Sequence, residues 1–265
     1  MTLELPIGRT AVMGVLNVTP DSFSDGGRFA TADAAVQRAR AMVDEGVDVI
    51  DVGGESTRPG ADDVSIDDEI ARVVPVVEQI VSLGVPISVD TRKATVAKAA
   101  IDAGAQVVND VSGGTYDDAM VPLIADRDVS VILMHMRGTP KTMDVQTSYD
   151  DLVHDVKAEL SQRVSAATRA GIDRKRIFID PGLGFAKTVE QSRELLRRFR
   201  ELRSEGDRVV VGPSRKRFIG GELDDRLPGT LAVVAWCAMH GVDVVRVHDV
   251  KEARAVVDMI GSLAV

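Results

Sequence analysis

Cysteine is nearly absent from this 265-residue chain, which holds only Cys237. No disulfide can form within the chain, and this suits a reducing compartment. One cysteine and four histidines without close spacing exclude the usual Cys/His zinc patterns. Cys237 lies in the apolar run Leu231–Ala238 and reads as a small core residue. Aromatic residues make up only 3% of the chain, so a core must come from Val, Ile, Leu and Ala. That supply suits parallel strands covered by helices on both faces. An excess of basic charge is missing as well. Lys and Arg number 32 against 41 Asp and Glu, for a net charge of −9, which argues against a nucleic-acid binder. No apolar run reaches the roughly 18 residues that a membrane span needs. Residues Met1–Pro6 show no basic stretch followed by an apolar one, so no secretory leader is expected and the cytoplasm is the default compartment.

What is present is a globular composition, 45% hydrophobic and 28% charged, with a mean hydropathy of +0.03. Short β-branched runs alternate with helical patterns. Eight strands are predicted at Ala11–Leu16, Val47–Val52, Pro86–Val89, Gln106–Val108, Ser130–Met134, Arg176–Ile179, Arg208–Val211 and Asp243–Val247. The clearest helix is predicted over Tyr149–Ala170, with Leu152, Val156, Leu160, Val164 and Ala167 on one face and Gly171 at its stop. Another is expected to begin at a capping box around Ser65–Asp68, and others near Thr91 and Asp249. Strict alternation implies parallel strands with crossover helices, and eight such units match a closed (β/α)₈ barrel in one domain, with its core about 11–260. An open doubly wound sheet would show Gly-x-Gly-x-x-Gly after strand 1, where Asn17-Val18-Thr19-Pro20 stands instead, and no Walker A pattern occurs. Residues 1–10 are expected to form a short extension, hairpin or plug, at the barrel base. The connections 17–30 and 53–65 are long for a barrel and read as functional loops.

Each strand delivers polar groups at its C-terminal end. In chain order these are Asn17; Asp51 with Glu55-Ser56-Thr57-Arg58; Asp90; Asn109-Asp110; His135; Asp180; Ser214-Arg215-Lys216; and Arg246 with His248. For any one of them a cap or loop hydrogen bond is the commoner role, but all eight together point to a shared site at the face where barrels build theirs. Asp90 and Asp180 with Asn109 suit the edge of a 2-amino-4-oxo-pyrimidine, as in a pterin or guanine, and Lys216 can donate to a ring carbonyl or nitrogen. Arg58, Arg215, Lys216, Arg217, Arg246 and His248 form a local positive cluster fit for anions. Asn17 offers a neutral oxygen suited to Mg²⁺ beside phosphate oxygens and water.

The runs Met13–Gly27 and Asp51–Gly60 resemble the two signature segments of dihydropteroate synthases. The resemblance continues in order through Ser88–Thr91, Asn109–Gly114, Leu133–Gly138, Asp180–Lys187, Gly212–Lys216 and Arg246–Asp249, and so covers nearly the whole chain. It implies a pterin deep in the barrel on Asp90, Asn109, Asp180 and Lys216, with Met134 against its face. It implies a diphosphate on Asn17, Arg246 and His248, with Arg58 closing from the second loop and Asn17 helping to place Mg²⁺. It implies p-aminobenzoate against Thr57, Pro59, Phe185 and Lys216, its carboxylate at Ser214 and the N-terminus of the following helix, and Phe23 folding over. The implied reaction condenses dihydropterin-methyl diphosphate with 4-aminobenzoate to dihydropteroate in folate biosynthesis, by a dissociative route with Asp90, Asp180, Lys216 and Arg58 as the catalytic set. Sulfonamides are the implied competitive inhibitors, and a homodimer formed through helices far from the mouth is the implied assembly. Ala186 stands where many members of the family have Gly.

Three other readings compete. A methyltetrahydrofolate-binding methyltransferase would share the pterin pocket without needing both loop signatures. A silent pterin-binding paralogue would be marked by loss of Asn17, Arg58, Lys216 or Arg246, all of which are present. A sugar-phosphate barrel enzyme would bind phosphate without a pterin. Trp236 reads as packing or a subunit contact, and His154 and His240 as helix residues away from the chemistry.

Overall fold

Alternate residues of a strand face opposite sides, so a closed sheet sends every second side chain inward and the rest toward covering helices. A computed structural model, which describes residues 3–19, 28–58, 60–204 and 206–263, shows this sorting directly. Strands β1 (Ala11–Asn17), β2 (Val49–Gly53), β3 (Ile87–Asp90), β4 (Val107–Asp110), β5 (Ser130–Met134), β6 (Ile177–Asp180), β7 (Arg208–Val211) and β8 (Val244–Val247) close into a parallel barrel in sequence order. Helices α1 (Arg28–Asp44), α2 (Ile66–Ile80), α3 (Ala94–Asp102), α4 (Met120–Ala125), α5 (Leu152–Arg169), α6 (Val189–Arg197), α7 (Phe199–Leu202), α8 (Leu227–Met239) and α9 (Val250–Leu263) lie between and after them.

Val12, Leu16, Ile50, Val52, Val131, Leu133, Ile177, Ile179, Val209 and Val211 point outward and pack with the helices in one large core. Ala11, Met13, Val49, Val107, Ile132, Phe178, Val210 and Val244 point inward and fill the lower barrel as a second core. Leu3 joins that inner core and closes it from below, its backbone N–H donating to Ser130 Oγ at 3.0 Å. The N-terminal extension is therefore a plug without strand or helix in residues 3–10. Arg9 pins it to Asp48 with a two-pronged ion pair at 2.6 and 2.7 Å.

The predicted strands β5 and β7 match the observed bounds, and the other six differ by one or two residues at one end or both. They begin earlier in sequence than the observed ones at β2, β3, β4, β6 and β8, and at β1, β3, β4 and β6 the observed strands run on into the polar residues. The cause is visible in the register: Asn17 pairs Gly53, Gly53 pairs Asp90, Asp90 pairs Asn109, and Met134 pairs Asp180. Asn17, Asp51, Asp90, Asn109, Asp180 and Arg246 sit on the sheet itself, whereas His135, Ser214, Lys216 and His248 follow their strands.

Helix α5 begins at Leu152 and not at Tyr149, because the Asp151 carboxylate caps it, accepting from the backbone of Val153 and His154 at 3.1 Å. Ser65 caps α2 as its sequence implies, accepting from Asp68 N–H at 3.1 Å. No helix among the described residues is long and apolar enough to cross a membrane.

Candidate active site

Two residues above the inner apolar layer, the same inward positions turn polar. Asp51 follows Val49, Asn109 follows Val107, Asp180 follows Phe178 and Arg246 follows Val244, while β3 places Asp90 above Ser88. Rigid sheet backbone thus sets the height and direction of every one of these groups.

Arg246 is the hub of the layer. Its Nε donates to Asp51 Oδ2 at 2.6 Å and its Nη2 to Asp90 Oδ2 at 2.6 Å. Asp51 Oδ2 also accepts from Asn109 Nδ2 at 3.0 Å, so one carboxylate orients both the guanidinium and the amide. The second oxygens, Asp51 Oδ1 and Asp90 Oδ1, are buried without a hydrogen-bond partner. An orphaned buried carboxylate oxygen is costly, and these two retain the capacity to accept a hydrogen bond. Burial pushes the Asp90 carboxyl above its usual range, with Arg246 opposing and Asp51 adding to the rise. Burial raises Asp180 likewise, against the pull of Lys216. Asp180 Oδ1 accepts from Gly182 N–H at 2.7 Å. Gly182 is obligatory there: its φ is +67°, and an added Cβ would stand 2.0 Å from the His135 carbonyl oxygen.

Lys216 reaches in from beyond β7. Its Nζ donates to the Leu183 carbonyl at 2.6 Å and stands 4.8 Å from the centre of the Phe185 ring. Burial lowers its pKa to about 8, with Asp180 opposing. Met134, Met136, Val111, Met143, Ala186 and Phe185 make an apolar wall around this corner. Ala186 holds a φ of +50°, which explains why glycine suits that position better.

Of the residues singled out from sequence, Asp90, Asn109, Met134, Asp180, Lys216 and Arg246 converge on the upper barrel. Asn17 ends β1 at its rim, and a Cβ placed on Gly53 would stand 3.8 Å from Asn17 Oδ1 and 3.5 Å from Asp90 Cβ. Thr57 is half-buried and Arg58 exposed on the loop after β2; the Arg58 charge is felt at His248. Phe23 and Pro59 lie outside the described residues.

Three expectations need correction. Burial, reinforced by Arg246 and Arg215, lowers His248 to about 4, so the ring itself adds no positive charge at neutral pH; its Nδ1 pairs with Ser214 Oγ at 2.9 Å. Arg215 and Arg217 bring less to the positive cluster than their place in the sequence suggests, although the Arg215 charge still reaches His248. They are exposed and pair with Asp249 at 2.5 Å and Asp144 at 3.2 Å. The segment after Ser214 is not a helix but a 3-10 turn, Arg217–Ile219, stopped by Gly220, and α8 begins only at Leu227.

Sequence reasoning named Asp51 only as a strand end. Its role was readable from position, since it stands two residues above an inward valine. His135 likewise enters the sequence reading only as a strand end, and Lys187 and Glu159 carry no such signal, because the partners of all three come from different elements.

Among the described residues no group of three or more His, Cys, Asp or Glu is placed to hold a metal ion. Among the described residues Asn17 offers a neutral side-chain oxygen at the rim, a donor whose chemistry fits a hydrated Mg²⁺ beside phosphate oxygens.

Comparison with known proteins gives concordant results. The family profile described as "Pterin binding enzyme" matches residues 13–248. The dihydropteroate synthase of Bacillus subtilis is 45% identical over 260 residues, covering 96% of this chain and 89% of that protein. A probable bifunctional folylpolyglutamate synthase/dihydropteroate synthase of Haloferax volcanii is 52% identical over 253 residues; the chain spans only 30% of that longer protein. A solved Xanthomonas albilineans dihydropteroate synthase with 4-aminobenzoic acid superposes with a TM-score of 0.90 at 42% identity, covering 97% of this chain and 94% of that one.

Proposed function

Because the chain belongs to the dihydropteroate synthase family of pterin-binding enzymes, we propose that it joins a dihydropterin-methyl diphosphate to 4-aminobenzoate, releasing diphosphate. The observation that carries this reading is the buried layer of Asp90, Asn109 and Asp180 around Arg246, with carboxylate oxygens left open to a ligand.

Asp180 and Asp90 accept from the N–H groups of the pterin, Asn109 both donates and accepts, and Lys216 donates to a ring oxygen or nitrogen. Met134 packs on the ring face. Arg246, Arg58, Asn17 and His248 receive the diphosphate. When the pterin's methylene carbon–oxygen bond breaks, the electron pair leaves with diphosphate and the positive charge spreads into the ring. The buried carboxylates of Asp90 and Asp180 face that charge in a site poor in water, where such stabilisation is strongest. The aniline nitrogen donates its lone pair to the methylene carbon and then sheds a proton. An aryl amine is already nucleophilic, so no strong base is required. Bound beside Asn17, Mg²⁺ would supply charge neutralisation for the departing diphosphate.

Phe185, Thr57, Ser214 and Lys216, with Phe23 and Pro59, form the arylamine subsite in this reading, and sulfonamides compete there. A homodimer through faces remote from the mouth is supported by exposed Met239, Met259 and Leu263 on α8 and α9. A reducing, cytoplasmic setting suits the buried free Cys237.

The test is turnover. Dihydropteroate and diphosphate should appear together, and only with both substrates and Mg²⁺ present. Pterin binding without turnover would move the assignment to a silent paralogue or a methyl-transfer barrel, and absence of pterin binding would remove it.

A further inference from the structure

Two consecutive carbonyl groups on the wall of the mouth are held by side chains rather than by secondary structure. The Phe185 carbonyl accepts from Lys187 Nζ at 2.9 Å, and the Ala186 carbonyl accepts from the Tyr149 hydroxyl at 2.9 Å. Ala186 itself sits in the left-handed region, a conformation that persists in a residue with a Cβ only where its surroundings over-determine it.

Those surroundings form a connected frame. Lys187 is buried, and its Nζ has three acceptors in reach: His135 Nδ1 at 2.8 Å, Phe185 O at 2.9 Å and His135 O at 3.4 Å. Burial pulls its pKa well down, yet three acceptors match the three N–H bonds of an ammonium, and the geometry favours that form. Because Nδ1 accepts from Lys187, the ring proton of His135 sits on Nε2, 3.0 Å from Glu159 Oε2. Burial keeps this histidine neutral, lowering it to about 4. Glu159 Oε1 accepts from Arg137 Nη2 at 2.5 Å and Nε at 2.9 Å, and the Arg137 guanidinium lies 4.0 Å over the Tyr149 ring. From Glu159 on α5, one arm therefore runs through His135 and Lys187 to the Phe185 carbonyl. The other runs through Arg137 and Tyr149 to the Ala186 carbonyl.

We propose that Glu159, His135, Lys187, Arg137 and Tyr149 form a positioning frame that fixes the Phe185–Ala186 peptides and so sets the depth of the arylamine subsite. None of the five is assigned to touch substrate. The proposal rests on the preceding reading, in which Phe185 faces the arylamine beside Lys216.

The experiment measures the KM for 4-aminobenzoate, kcat and the Kd for a pterin in Lys187→Met, Tyr149→Phe and Glu159→Gln, with thermal unfolding alongside. Loss of a charged donor to a buried carbonyl is expected to raise the arylamine KM about tenfold in Lys187→Met, and loss of the neutral hydroxyl about threefold in Tyr149→Phe. Pterin Kd stays within about twofold in each, since the barrel layer is untouched. A merely structural role would lower the melting temperature and leave the arylamine KM alone, and that result overturns the proposal. So does an equal loss of pterin and arylamine binding. Should Lys187→Met fail to fold, Tyr149→Phe and Glu159→Gln decide by the same criterion. Failure of the wild-type protein to use 4-aminobenzoate at all would sink the functional reading itself, whereas normal wild-type turnover with an unmoved KM in the variants sinks only the frame.

Discussion

Phe178 and Asp180 stand two residues apart on β6 and face the same barrel interior, yet they serve opposite ends. Phe178 is fully buried among Met13, Val49, Val107 and Ile132, where dispersion and water exclusion hold the sheet closed. Asp180 is buried as well, but burial works against it by raising its carboxyl. The same contrast repeats at Val107 and Asn109, Val49 and Asp51, and Val244 and Arg246. One layer stabilises the barrel, and the next spends part of that stability on pre-oriented polar groups. A strand advances about 6.6 Å over two residues, so the two functions are stacked and not mixed.

The sharpest way to break this division is Arg246→Met. It leaves Asp51 and Asp90 buried without their cation, so both layers should suffer. We expect turnover to fall at least about a thousandfold and stability to drop by about 3–5 kcal/mol, read by steady-state kinetics and denaturant unfolding. If activity fell and stability did not, Arg246 would belong to the upper layer alone. Phe178→Ala should separate the layers in the other direction. A cavity there costs about 3–5 kcal/mol in unfolding free energy, while substrate KM values stay close to wild type at a temperature where the variant is folded. Asp180→Asn should lower kcat/KM about a hundredfold yet leave the melting temperature at neutral pH equal or higher. The sign follows from the raised carboxyl: its contribution favours folding below the unfolded value of 3.8 and turns unfavourable as pH rises through the folded value, so the neutral amide removes a cost. The smallest effect is one of pH. Lys216 loses its proton as pH rises through about 8, and pterin affinity should weaken severalfold across that range. Lys216→Arg, permanently charged, should flatten the profile, and a titration of pterin Kd against pH checks both.

Much of this division was legible before any fold was known. The β-branched runs located every strand to within two residues, and the polar residues at their ends gathered at one mouth as the barrel requires. What the runs could not reveal was that Asp90, Asn109 and Asp180 lie on the ladder itself, because a polar residue after an apolar run looks like the start of a loop. The positive cluster was overcounted for a related reason. Arg215 and Arg217 are neighbours of Lys216 in sequence, but a left-handed φ at Arg215 and the 3-10 turn after it send them outward to Asp249 and Asp144. His248 looked like a cation because burial, which neutralises it, has no mark in sequence.

The sequence by itself determined the architecture, since period-two and helical patterning depend on neighbours along the chain, and it determined which chemical groups stand at the mouth. Only the tertiary structure decided who pairs with whom. Arg246 meets Asp51 across 195 positions and Asp90 across 156, and Lys187 meets His135 across 52. Those distances close only when the barrel does, and the charge states that follow from burial are set at the same moment.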